Sequence, residues 1–195
     1  RNTEILFTIG EEGGMNGVKN MDLSMIKGKE AMVFDASGDV GKILTCGPGQ
    51  IKIFATIIGR SSHAGLAPEE GISAIQVAAK GIAKMNLLRI DEETTCNIGT
   101  CLQDACDEMG AKLEIGLKTN YVSFNVANDD PMVQRVFESC KRIGCEPMTA
   151  KGGGGSDANV MALHGIKPIV LSTGMTKVHT TGETLKIDDL NKCAE

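Results

Sequence analysis

The stretch "LFTIGEEGGMNG", residues 6–17, runs from an apolar segment into two adjacent glutamates and then into a glycine-rich turn. Continuous apolar character over "TEILFTI" (3–9) predicts a buried strand, so Glu11 and Glu12 fall just past a strand end. Neighbouring carboxylates repel, and charge beside a core is costly unless something positive offsets it. Two readings stay open at this point. One is a solvated loop with two surface acids, the ordinary outcome for a Glu–Glu pair. The other is a site in which a cation, or work as a base, accounts for the pair.

Working outward, "DLSMIKG" (22–28) predicts a short helix capped by Asp22, and "EAMVFDA" (30–36) a second buried strand that ends at Asp35. "QIKIFATIIGR" (50–60) alternates like a strand, and "PEEGISAIQVAAKGIAKMN" (68–86) reads as one amphipathic helix starting at Pro68. A short strand (94–100), a helix (101–112) and a strand (113–124) follow. "DDPMVQRVFESCKRIG" (129–144) is a helix bounded by Asp129 or Asp130, Pro131 and Gly144, and "GIKPIVLSTG" (165–174) is a buried strand leading towards His179. The pattern is α/β at both ends with a small α+β insert. We expect a catalytic-type layer from 1–47 and 126–195, with 48–125 as the insert. An opening at Arg1-Asn2-Thr3 and a close inside the helix-like "DLNKCAE" read as the edges of part of a longer protein.

Composition narrows the function classes. With 42% hydrophobic and 23% charged residues the 195-residue chain is ordinary for a globular protein. A net charge of -5 leaves no basic surplus for nucleic acid, and no run approaches the roughly 18 apolar residues of a membrane span. The 7 cysteines are an odd number and form no CxxC pair, which points to reduced thiols and a cytoplasmic location.

Glu11–Glu12, Asp35, the run "GGGGSDAN" and His179 all follow apolar strands, where open α/β sheets collect ligands. Carboxylates and imidazole suit hard or borderline cations, and one glutamate could bind metal while its neighbour takes a proton from a water. Each feature also has a plainer reading. His63 in "SSHAG" suits an exposed turn, and Asp157 suits a helix cap. The glycine run suits a linker, or a phosphate cradle that lacks both GK[ST] and GxGxxG spacing. His164, Asp39 and Asp91-Glu92-Glu93 read as structural or solvated positions.

Taken together and in order, "GEEGGMNGVKN", "GRSSHAGLAPEEGISAI", "GGGGSDANV" and "KVHTTGETLKIDDL" resemble the motifs of the M20 family of dinuclear zinc exopeptidases, most closely its tripeptidase T-like branch. The resemblance implies a three-layer α/β/α catalytic domain interrupted by a lid and dimerisation domain. It implies two Zn2+ (Co2+ or Mn2+ in their place), a short peptide substrate and a homodimer formed through the lid. Glu11 would be the general base and Glu12, Asp35 and His179 metal ligands. His63 would stabilise the oxyanion from across a dimer, and Gly154, Gly155 and Ser156 would seat the substrate carboxylate. The family's HxD motif and bridging aspartate would lie before Glu11, where the first ten residues hold neither His nor Asp. A family segment is also missing after Thr100. Deacylase or carboxypeptidase chemistry, a non-catalytic binding module and a nucleotide-binding domain are the alternatives.

Overall fold

The computed structural model describes residues 3–85 and 99–195, which divide into two compact units. The first comprises Arg1–Gln50 with Asn120–Glu195, and the second Ile51–Thr119.

The first unit is built on a mixed sheet. Strand β1 (Glu30–Ser37) pairs in parallel with β7 (Lys167–Met175). β2 (Lys42–Gly47) runs antiparallel to β7 and to the short β5 (Phe124–Asn125), and parallel to β6 (Met148–Lys151). Alternation along the strands sends side chains to two faces. Ile43 and Ile169 pack against Met132, Val133, Val136 and Cys140 of α4 (Pro131–Arg142). On the opposite face, Val170 packs with Ala158 of α5 (Asp157–Leu163), and Val160 and Met161 meet Val18 of α1 (Asn16–Asn20). The unit is therefore the expected α/β/α arrangement. α6 (Ile187–Ala194) closes the chain.

Local chemistry fixes the helix starts. The Asp130 carboxylate accepts the Met132 N–H at 2.8 Å with Pro131 in the first turn, as the sequence predicts. Asp22 caps a single 3-10 turn, Leu23–Met25, in place of a longer helix. Ser156, not Asp157, caps α5, and Asn159 completes a capping box.

The expected buried strand over 3–9 is not formed. Ile5, Phe7 and Ile9 are 80%, 90% and 81% exposed, and the segment joins no ladder. Its polar groups serve turns instead. The Ile9 carbonyl accepts from Gly17 N–H at 2.8 Å, and the Glu4 carboxylate accepts from the Lys27 and Gly28 N–H groups. Apolar residues make a buried strand only where a neighbouring strand and a covering layer exist, and among the described residues this run has neither. β1 is likewise buried on one face only, with Met32 and Phe34 exposed.

In the second unit, β3 (Gln50–Ile58) pairs with β4 (Lys112–Tyr121). Two helices, α2 (Ala74–Ala83) and α3 (Gly99–Met109), pack through Val77, Ala105 and Cys106, with Ile57 and Leu113 against them. The helix expected from Pro68 begins only at Ala74. Arg60 and Ile72 exchange backbone hydrogen bonds of 3.0 and 2.8 Å, which keep the chain extended between a 3-10 turn at Pro68–Glu70 and the Ser73 cap. The expected strand over 94–100 lies outside the described residues through 98, and Gly99 opens α3. The strand expected over 113–124 is split, its last residues joining the first unit's sheet as β5. Among the described residues no helix is long and apolar enough to cross a membrane.

Ile169 is fully buried where β7 meets α4. Ile169→Ala should cost about 2–5 kcal/mol in urea unfolding, and a loss well below that range would show the β7–α4 contact to be loosely packed.

Candidate active site

A cavity of about 440 Å³ in the first unit is lined by Glu11, Glu12, Asp35, Gly152–Ser156, His179 and Glu183, over Lys42, Leu44 and Cys46 of β2. Glu11 and Glu12 open a tight turn and do not follow a strand end. Gly10 has φ +67°, and the Glu11 carbonyl accepts the N–H groups of Gly14 (2.8 Å) and Met15 (2.7 Å). Asp35 lies within β1 at a register shift: Phe34 pairs with Leu171 and Ala36 with Ser172, so Asp35 is the extra residue of a bulge. Asp35 shares the sheet face of Ala31 and Val33 and lines the cavity. His179 sits in the loop after β7 with φ +61°, a left-handed conformation that costs a residue with a Cβ about 1–2 kcal/mol. Its Nδ1 lies 3.3 Å from Glu12 Oε2.

Electrostatics unite these groups. Partial burial pushes the Glu11 carboxyl up to about 7, helped by Asp35, Glu12 and Asp157, with His179 acting in the other direction. Asp35 remains open to the cavity while the surrounding walls strip much of its hydration. That desolvation, with Asp157 and Glu12, raises it to about 6, again against His179. Asp157, which sequence reasoning set aside as a helix cap, is the residue it missed. It is 5% exposed, accepts the Thr8 hydroxyl at 2.5 Å through Oδ2, and its buried Oδ1 has no partner among the described residues. The signal was its place directly after the capping serine of the glycine run.

The glycine run supplies backbone. A Cβ at Gly155 would run into the Tyr121 ring, whereas Gly153 and Gly154 face open space. The Ser156 hydroxyl accepts the Ala158 N–H at 3.3 Å. His63 belongs to the second unit, where its Nδ1 accepts the N–H groups of Gly65 and Leu66, both at 3.1 Å.

Among the described residues no three His, Cys, Asp or Glu side chains converge closely enough to enclose a metal ion. The donor set nevertheless suits a hard or borderline dication. Glu12, Asp35 and His179 offer two carboxylates and an imidazole, and the orphaned Asp157 oxygen adds uncompensated negative character.

A carboxylate-rich cavity on an α/β/α sheet is the kind of site that metal-dependent hydrolases use. Residues 1–195 match the model of peptidase family M20/M25/M40, and the chain belongs to that family. It is 35% identical over 229 aligned positions to the uncharacterized protein YqjE of Bacillus subtilis (strain 168), covering 98% of this chain and 62% of that one. The alignment is longer than the chain, so the relative carries segments that this chain lacks. Aminopeptidase PepT from Bacillus cereus ATCC 10987 superposes with a TM-score of 0.86 at 35% identity, over 96% of this chain and 60% of that one. A tripeptidase (SAV1512) from Staphylococcus aureus subsp. aureus Mu50 gives the same TM-score and coverage at 32% identity. YXEP of Bacillus subtilis, a dinuclear metal binding peptidase from the M20 family, shares the fold at 17% identity, with a TM-score of 0.65 over 95% of this chain and 60% of that one. The chain thus spans about three-fifths of the length of these proteins.

Both acids bind protons more tightly folded than unfolded, so folded protein holds the extra protons and stability falls as pH rises through about 6 and about 7. Metal-free protein should therefore melt at a higher temperature near pH 6 than near pH 8. Asp35→Asn should flatten that slope, and thermal unfolding across pH with chelator present checks both.

Proposed function

We propose that the protein is a metal-dependent exopeptidase acting on short peptides, with Glu11 as general base and Glu12, Asp35 and His179 as this chain's metal ligands. The observation that carries the reading is the convergence of mutually repelling carboxylates and one imidazole on a single cavity. The similarity to an aminopeptidase and a tripeptidase, each over 96% of this chain, supports the substrate class.

Two divalent ions, zinc or else cobalt or manganese, would supply Lewis acidity that polarises the scissile carbonyl and acidifies a water. Glu11, half-buried in the same cavity, is placed to take that proton and pass it to the leaving amine. Glu12 and His179 lie at hand for one ion, and Asp35 on its bulge for the other. The open backbone at Gly154, the Gly155 backbone and the Ser156 hydroxyl offer donors for the peptide carboxylate. With Nδ1 engaged as an acceptor, neutral His63 carries its ring proton on Nε2, which suits it to donate to the oxyanion. His63 would do so as part of a lid that also forms a homodimer, in a cytoplasmic enzyme.

With tripeptides as substrate, Glu11→Gln in the full-length protein should lower kcat about a hundred- to ten-thousandfold and leave zinc binding near the parent value. Full activity in that variant would remove Glu11 as the base.

A further inference from the structure

The loop that carries His179 is closed at its neck and ordered within. Thr176 and Thr184 exchange backbone hydrogen bonds of 3.0 and 3.2 Å, and their hydroxyls meet at 2.9 Å. Inside, the Thr180 hydroxyl donates to the Lys177 carbonyl at 2.7 Å and accepts the Gly182 N–H at 3.2 Å. Lys177 and His179 both sit in the left-handed region, at φ +53° and +61°, which side chains bearing a Cβ rarely adopt. At His179 the backbone is held by a side chain: its N–H donates to Glu183 Oε2 at 2.8 Å. Both residues line the cavity, and the His179 imidazole lies 3.3 Å from Glu12.

We propose that Glu183 is a positioning residue that fixes the left-handed backbone of His179 and so aims its imidazole at the site it shares with Glu12. The inference rests on the metallopeptidase reading. What the role requires is an acceptor at the right reach, not a negative charge. Glutamine keeps a carbonyl oxygen at that reach and alanine does not. A metal ligand, or a carboxylate receiving a substrate ammonium, would need the charge itself.

The test is Zn2+ affinity of the full-length protein, measured by competition with a chromophoric chelator, for the parent, Glu183→Ala and Glu183→Gln. Thermal unfolding of each metal-free protein establishes that it is folded. E183A should bind zinc about ten- to hundredfold more weakly, and E183Q should stay close to the parent. In a His179→Ala background, E183A should add no further loss. Unchanged affinity in E183A overturns the inference, and so does a loss in E183Q equal to that in E183A. If the parent binds no zinc, the metallopeptidase reading falls and takes this inference with it. Parent binding that E183A leaves intact overturns this inference alone.

Discussion

Repulsion among carboxylates is the constraint around which the first unit is arranged. Glu11, Glu12, Asp35 and Asp157 come from a turn, a bulged strand and a helix start, and the last three each raise the cost of ionising Glu11. Left free to relax, a chain would separate such groups into water. Here three local devices hold them together: the double acceptance at the Glu11 carbonyl, the extra residue in β1 and the capping box at Ser156. Their coexistence makes sense as readiness for positive charge, with His179 as one partial offset that the chain itself provides.

The scaffold must be stiff to hold that arrangement. β7 is buried along most of its length and packs on both faces, through Ile169 towards α4 and through Val170 towards α5. Fully burying one aliphatic side chain contributes about 1.5–3 kcal/mol. Each left-handed residue with a Cβ costs about 1–2 kcal/mol, and Met15, Lys177 and His179 are three of them. Two or three core residues therefore offset the backbone strain at the site. The strand that anchors the core also delivers the loop bearing His179, so packing and site geometry share one element.

The sequence made much of this legible, for reasons that differ by element. α4 was readable because its cap, proline and apolar spacing agree, and β7 because its apolar run is covered on both faces. Residues 3–9 carry an equally apolar pattern, but burial depends on a neighbour that local sequence does not specify. β2 and β6 are short and set by pairing partners distant in the chain, so no local period announced them. At the site, Glu11, Glu12, Asp35, His179 and the glycine run could be named because acids and glycines stand out against apolar strands. Asp157 was hidden by the equal plausibility of a cap, and only burial beside Thr8 separates the two roles. The bulge at Asp35 and the left-handed backbone at His179 are properties of pairing and loop closure, which residue types alone do not encode.

The adjacent glutamates end in different surroundings. Glu11 is the more sheltered of the two, and burial together with its acidic neighbours sets its carboxyl near 7. Glu12 is exposed and lies beside the His179 imidazole. Asp35 holds its proton up to about 6 in the chain alone, so below that pH a cation arriving there would have to displace a proton. The same crowding that raises Glu11 therefore also sets the terms on which a cation could reach Asp35.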